Sequence, residues 1–398
     1  MTEHAGDDPG RLLLSADRWP EIDVRRAARN IGARARIRTK IPSWYTHPEL
    51  EYPGSLPLEQ ASSEATARCK QAFVPEGARI ADLTGGLGVD CWFMSRRARE
   101  AHYCERNVDL CAAARHNFST LGDDSIAVHE GDGIEWLAQQ QERFDLIYLD
   151  PARRDAAARR VYDIADCEPN LLAVKDLLLG KATRILAKIS PMADISRTLA
   201  HFPEARELHV LAVAGEVKEL LLLLETGAPQ AEPIIVAHDI LHQSPNTQEM
   251  ALPATTHHFE FHPQEEPAAE VKYASQIGRY LFQPSKAVLK AGAFRLLSAR
   301  YNLEKLAPST HLYTADTIPE GFPGKCFRVE SVLEWSKASI RQLKMQYDRL
   351  EMTATNFPLA TDALRTRFGI PDGGAHHLFA TTIADKRKIV IICGNREG

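Results

Sequence analysis

The chain has no Cys-x-x-C pair. Its seven cysteines, Cys69, Cys91, Cys104, Cys111, Cys167, Cys326 and Cys393, form an odd set without metal-ligand spacing. That argues against a disulfide framework and a zinc site, and for a reducing compartment, the cytoplasm. No metal is expected. Long apolar runs are also missing: Leu220 to Leu224 is far too short to span a bilayer, so no membrane partner is expected. The segment Met1 to Arg11 is polar and acidic and does not read as a signal peptide. Internal repeats and low-complexity tracts are absent. What remains is 398 residues of ordinary globular composition, 44% hydrophobic and 25% charged. That length has room for about two to three domains.

A full G-x-G-x-x-G dinucleotide fingerprint is lacking too. The glycines after the apolar run Ala78, Ile80, Ala81 are Gly85, Gly86 and Gly88, and position 91 is Cys. A strand, a Gly-rich turn and a helix starting near Cys91 still make a nucleotide-type cradle. Glycine lets the main chain approach a ligand closely, and the helix start offers free N–H groups. Asp82 closes the strand before the turn. A carboxylate there would repel a pyrophosphate but suits the cationic methionine end of S-adenosylmethionine. The D-L-x-x-G-x-G pattern resembles motif I of class I S-adenosylmethionine-dependent methyltransferases. An ordinary strand-to-helix turn is the alternative reading.

Three further acids stand at the ends of strand-like runs. Glu105 closes Ala101–Glu105, 23 residues after Asp82, near the spacing of a ribose-gripping carboxylate. Asp132 follows a run from Ser125 to Glu130, and Asp150 follows Phe144 to Leu149. Arg184–Ile189 reads as a fifth strand. Glu207–Val213 and Glu219–Glu225, joined by Ala214 to Lys218, read as an antiparallel hairpin closing the sheet. Open α/β sheets bind ligands at strand C-terminal ends, which is where these acids fall. Singly, each acid is also a plausible helix N-cap or loop carboxylate.

The whole pattern resembles the bacterial class I methyltransferases that carry a C-terminal THUMP-like domain. The segments that carry it include Leu58 to Glu64 with Thr66 and Lys70, Asp82 to Gly86, Asp150 to Arg154 and Gly215 to Leu221. Lys290 to Phe294, Thr310 to Thr314, Phe322 to Lys325, Asp372 to Gly374 and Leu378 to Thr382 extend it. The resemblance runs from about Ile37 onward. It implies a Rossmann-like α/β core of mostly parallel sheet with an antiparallel closing hairpin. A helical N-terminal region precedes this core, and an α+β THUMP-like or ferredoxin-like module follows it. It implies S-adenosylmethionine as cofactor, held by Asp82, Thr84, Gly85, Gly86, Gly88, Glu105, Asp132 and Asp150, and methyl transfer to RNA. Thr66 and Lys70 become candidates for contact with the donor's methionine end; simple helix packing is the other reading.

Catalytic candidates gather in Asp150-Pro151-Ala152-Arg153-Arg154. Methyl transfer from a sulfonium is mainly positioning. Amino-methylating enzymes carry an aromatic at the fourth position of this motif, and Arg153 stands there. The D-P-x-R form looks closer to RNA uracil-C5 methyltransferases, but those use a Cys after the fifth strand, where this chain has Ser190-Pro191. Cys167, near an expected helix start, reads as structural. Asp150, Pro151 and Arg153 are therefore the expected catalytic positions. Arg153 and Arg154 suit a phosphate clamp, or pairing with Asp155 or Asp163. Glu216 and Lys218 in the hairpin turn are expected at the substrate rim, or are surface residues. Tyr148 reads as sheet core.

Charge is unevenly spread. Residues 270–398 carry 19 Lys/Arg against 12 Asp/Glu, a net of +7, which leaves −12 on residues 1–269. A basic C-terminal third suits a polyanion such as RNA, although scattered surface lysines give the same sum. The expected organisation is a disordered leader over 1–20 and a helical region over 21–75, with an Arg-rich helix over Ile22 to Lys40. The core spans 76–226. A linker rich in Pro, Gln and His with a small helical or ferredoxin-like region spans 227–316, and the THUMP-like domain 317–398. One helix is expected over Lys286 to Tyr301. A small-molecule methyltransferase, a non-catalytic RNA-binding protein retaining the pocket, and an oxidoreductase stay open as alternatives.

Overall fold

Buried apolar runs set the strands. In the computed structural model, residues 7–153, 164–227, 232–240 and 255–396 are described. They divide into two units, Met1–Pro233 with Ile240–Thr255, and Ile234–Asp239 with Thr256–Gly398.

The first unit begins with helices. Helix α1 (Pro9–Leu14) is capped by Asp8, whose side chain accepts from the Arg11 N–H at 3.0 Å. Helix α2 (Val24–Lys40) follows a short 3-10 turn at Ala16–Arg18. Thus residues 9–18 are not the leader expected from composition. Asp8-Pro9 is a helix start, and Leu12 packs against Ala28 and Ile31 of α2. Helices α3 (Pro42–Tyr45), α4 (Ser55–Gln60) and α5 (Glu64–Gln71, capped by Ser63) lead to the sheet. They belong to the core rather than decorate it: Ile37, Ile41, Trp44, Tyr52 and Leu58 share one cluster with Trp92, Phe93, Tyr103 and Phe118.

The strands and helices then alternate: β1 (Ala78–Asp82), α6 (Val89–Ser95), β2 (Ala98–Glu105), α7 (Val108–Thr120), β3 (Ile126–Glu130), α8 (Gly133–Gln139) and β4 (Phe144–Leu149). Two-residue strands β5 (Ala152–Arg153) and β6 (Cys167–Glu168) pair with each other, so Cys167 sits in a short strand just ahead of the expected helix start. Asn170 starts the next helix, α9 (Leu171–Lys181), and β7 (Ala182–Ile189), α10 (Ile195–His201), β8 (Ala205–Val213) and β9 (Glu216–Glu225) complete the series. The strands run in the order β8-β9-β7-β4-β1-β2-β3. Pairs β7–β4, β4–β1, β1–β2 and β2–β3 are parallel, and β8 and β9 are antiparallel additions. A Rossmann-like sheet closed by a hairpin is what the sequence led us to expect. Its central strands are buried on both faces, as a parallel sheet covered by helices requires.

In the second unit, β10 (Ile234–Ile240) and β11 (Thr255–Phe261) are neighbours, within the stretch expected as a linker. The apolar Ile-Ile-Val-Ala run overrides the polar composition around it. Next come α11 (Glu265–Ala268), β12 (Lys272–Tyr273), β13 (Tyr280–Pro284), α12 (Lys286–Ala291) and α13 (Phe294–Tyr301). The single helix expected here is two, because Gly292 takes a φ of +88 and ends the first. Strands β14 (Glu304–Ala307), β15 (Thr310–Ala315) and β16 (Gly324–Glu334), helix α14 (Lys337–Gln346), β17 (Glu351–Thr355), helix α15 (Thr361–Phe368), β18 (His377–Thr382) and β19 (Lys388–Arg396) finish the chain. Eight strands pair in the order β12-β14-β15-β13-β16-β19-β18-β17. Period two decides both faces. Leu378, Ala380, Val390 and Ile392 meet Leu343 and Phe368 of the helices, while Phe379, Ile389, Ile391 and Cys393 meet Leu281 and Leu312.

Two glycines test the packing. A Cβ on Gly324 would lie 2.3 Å from the Gln283 carbonyl oxygen, whereas one on helical Gly180 meets nothing within 4 Å. Gly324→Ala is expected to destabilise by about 1–3 kcal/mol through overpacking. Gly180→Ala should stabilise by about 0.5–1 kcal/mol, both read from urea unfolding.

Candidate active site

The glycine turn is braced from three sides. At the end of β1, Asp82 Oδ1 accepts the Thr84 N–H at 3.0 Å. Thr84 Oγ1 in turn accepts the Asp150 N–H at 2.6 Å, which ties the turn to the end of β4. From β2, the Cys104 carbonyl accepts the Gly85 N–H at 2.8 Å, and the Tyr103 hydroxyl donates to the Gly86 carbonyl at 2.5 Å. The Gly86 N–H donates to Glu105 Oε2 at 2.9 Å. A side chain at position 85 is excluded: its Cβ would stand 2.1 Å from the Tyr103 ring. Gly88 has a φ of +85, which starts α6 in a conformation closed to most residues.

A cavity of about 870 Å³ opens beside this turn, at the C-terminal ends of the strands. Of the residues expected to hold a cofactor, Thr84, Gly85, Gly86, Gly88, Glu105, Asp132 and Asp150 line it. Asp82 is not among its lining residues: it is only 1% exposed, beneath the turn. Burial drives its carboxyl well above the ordinary value; the Thr84 N–H opposes this, and the Asp90, Asp150 and Glu105 carboxylates add to it. Glu105 holds the turn with one oxygen and accepts the Asn107 N–H at 2.8 Å with the other. Asp132 caps α8 through the Ile134 and Glu135 N–H groups, at 2.7 and 3.1 Å. Its second oxygen meets Arg106, whose guanidinium also reaches Glu168 at 2.6 Å.

The remaining expected residues lie elsewhere. Pro151 is partly buried beside Asp150 but does not line the cavity. Arg153 is in β5, and Arg154 lies outside the described residues, as do Asp155 and Asp163. Glu216 and Lys218 are exposed, pair with each other at 2.6 Å and do not line the cavity. Thr66 and Lys70 are buried and also off the lining.

Beneath the cavity lies a cluster that sequence reading did not find. Lys188 on β7 lines the cavity and stands 2.7 Å from Asp150 Oδ2 and 4.0 Å from Glu219 Oε2. Glu219 on β9 lies 2.7 Å from the Lys70 ammonium. Lys70 is 0% exposed; it also reaches Asp90 Oδ1 at 3.1 Å and Ser62 Oγ at 2.9 Å. Ser62 and Tyr148 donate to the second Asp90 oxygen at 2.7 and 2.8 Å, so Tyr148 is core with a polar task. Burial pushes the Asp90 carboxyl up, but Lys70, Lys188 and these hydroxyls outweigh it and hold it below its usual value. Burial likewise depresses Lys188, yet Asp150, Glu219 and Asp90 more than compensate and raise it. Lys188 is therefore a fixed cation. Asp150 and Lys70 are candidates from sequence; Lys188 and Glu219 read as ordinary strand residues, and only strand alternation puts them inward.

Among the described residues, no group of three or more His, Cys, Asp or Glu side chains is placed to hold a metal, and no helix is long and apolar enough to cross a membrane.

Comparison with known proteins places the chain. A family model described as a ferredoxin-like domain matches residues 280–323, and one described as THUMP domain-like matches 324–395. A candidate methyltransferase from Porphyromonas gingivalis W83, known from its crystal structure, is 35% identical with a TM-score of 0.88, covering 100% of this chain and 96% of that one. An uncharacterized S-adenosylmethionine-dependent methyltransferase of Mycobacterium tuberculosis (strain H37Rv) is 23% identical over 316 residues, 78% of each chain. Ribosomal RNA small subunit methyltransferase J of Magnetococcus marinus is 29% identical over 80 residues, 18% of this chain and 32% of that protein.

Removing Lys70 strands two buried carboxylates. Lys70→Met is expected to cost about 3–5 kcal/mol in urea unfolding. Adding Glu219→Gln should recover part of that loss, because the two sites are coupled.

Proposed function

We propose that this chain, a member of the family of S-adenosylmethionine-dependent methyltransferases with a C-terminal THUMP-like domain, methylates RNA. The cofactor is S-adenosylmethionine. The residues present fit it: the turn at Gly85 has no room for a side chain, and Glu105 and Asp132 line the cavity beside it. The donor supplies an activated methyl group. In our reading Glu105 accepts from its ribose hydroxyls, and Asp132 with the start of α8 meets the adenine edge. Gly85, Gly86 and Gly88 let the backbone close on it, and Asp82 and Thr84 brace that backbone beneath the methionine end. Asp150 orients the acceptor at the reacting end, where Pro151 stiffens its backbone. Arg153 and Arg154 are assigned to phosphate binding. The exposed Glu216–Lys218 pair stands outside this assignment.

The observation that carries the RNA reading is the placement of positive charge. Residues 270–398 hold the net +7, within and around the THUMP-like match. Helix α14 has no acidic residue, and its exposed Lys337, Arg341 and Lys344 recur at the spacing of one helical face. The local similarity to a ribosomal RNA methyltransferase points the same way. The seven free cysteines suit the cytoplasm.

Three measurements test this. Glu105→Gln keeps the shape of the turn but removes charge-assisted hydrogen bonds, so calorimetry should show donor affinity about tenfold weaker. Unchanged affinity would remove Glu105 from the cofactor site. The enzyme should also transfer label from radiolabelled donor to RNA purified from cells lacking the gene, with incorporation lost in Asp150→Ala. RNA affinity should fall steeply with salt, and a triple alanine variant at Lys337, Arg341 and Lys344 should flatten that slope. Transfer to a small molecule with none to RNA would replace the RNA reading.

A further inference from the structure

The side chains at the reacting end carry information about the acceptor atom. From the cavity inward, Asp150, Lys188, Glu219, Lys70 and Asp90 alternate in sign, with neighbouring nitrogen–oxygen distances of 2.7, 4.0, 2.7 and 3.1 Å. Asp150 and Lys188 reach the cavity; the other three lie behind them. The inner members fix the outer pair. Asp150 first, then Glu219 and Asp90, keep Lys188 charged despite its burial, and Lys70 balances the two inner carboxylates. Lys188 therefore cannot accept a proton. It is a permanent ammonium with three N–H donors, one of them spent on Asp150.

Different acceptors ask for different surroundings. A neutral nitrogen gains positive charge as it attacks a methyl group, and an ammonium at the reaction point opposes that. A pyrimidine C5 acceptor needs covalent activation by a thiolate. Cys104, the one cysteine among the described lining residues, has its thiol pushed up by burial and by the Asp82 carboxylate. A hydroxyl has the opposite need from an amine. Its oxygen becomes more negative as its proton departs, so it gains from a cation on one side and a proton acceptor on the other. A hydroxyl can also donate and accept at once, which is what adjoining carboxylate and ammonium groups offer.

We infer that the acceptor is an oxygen, and within RNA the ribose 2′-hydroxyl. This rests on the RNA reading above and adds the atom. The hydroxyl donates to Asp150 and accepts from Lys188. Its oxygen bonds to the methyl carbon as the sulfur–methyl bond breaks, with that electron pair staying on sulfur. The hydroxyl proton passes to the Asp150 carboxylate and then to water. Asp150 and Lys188 are the catalytic residues; Glu219, Lys70 and Asp90 are positioning residues acting through Lys188. The 2′-hydroxyl occurs at every RNA residue and not in DNA, so the same pair selects RNA over DNA at the reacting atom.

The test is the position of the methyl group. RNA from cells lacking the gene is treated with the full-length enzyme and donor carrying a deuterated methyl group, then digested to nucleosides. In tandem mass spectrometry the label should stay with the ribose fragment, and alkaline hydrolysis should leave a labelled, uncleaved dinucleotide. Label on the base fragment overturns the inference and leaves the RNA reading standing. No label in RNA overturns both. Lys188→Met should lower labelling by about 100-fold, the scale of losing one preorganised donor at a developing charge. Donor affinity by calorimetry should persist in that variant, which controls for folding. Lys188→Arg, which keeps the cation, should restore part of the labelling. Labelling by Lys188→Met at the unsubstituted rate would show that the ammonium has no part in the transfer.

Discussion

Burying Lys70 completely is the constraint around which the first unit is arranged. A lone ammonium out of water is unsustainable, and paired with a single carboxylate it barely breaks even. This one has carboxylates on two sides and a hydroxyl on a third. Those partners come from α6, from β9 and from the segment before α5, so the charge requirement fastens the N-terminal helices and the closing hairpin to the same point. Glu219 then faces Lys188, and Lys188 faces Asp150. The electrostatic balance of the core is thereby extended to the cavity floor.

A second set of ties works at the main chain. Thr84 receives the Asp150 N–H while its own N–H goes to Asp82, so the glycine turn and the end of β4 hold a common register. Tyr103 and Glu105 fix the turn from β2. Short polar side chains thus occupy the backbone groups that a Gly-rich turn leaves unsatisfied. A cofactor meets a cradle already set, which lowers the ordering cost of binding. Arg106, joining Asp132 to Glu168, is a surface pair and contributes little to stability. Its interest lies in its position on the cavity lining.

The second unit obeys a simpler rule. Alternation along β18 and β19 sends one set of side chains toward the helices and the other toward the opposite face of the same sheet. Most of its cations sit on the outside, although Lys305 on β14 is buried.

Much of this was legible in the chain itself. Apolar runs of four to eight residues marked the strands, and an acid at the end of each of the first four marked the rim, because strand order and cofactor chemistry are local in sequence. The class of fold, the cradle at Gly85 to Gly88 and the carboxylates Glu105, Asp132 and Asp150 all follow from short segments. Local composition misled where a helix start, a buried strand or one left-handed glycine outweighed it, as at Asp8-Pro9, Ile234–Ile240 and Gly292. The tertiary structure decided the charge network. Lys70, Asp90, Lys188 and Glu219 are scattered over about 150 positions, and nothing in the local sequence shows that they face one another. Glu216 and Lys218 drew notice in the hairpin turn, but strand alternation turns Glu219 inward instead. A pairing between distant charges is set by which faces of which elements meet, and that is determined only when the sheet closes.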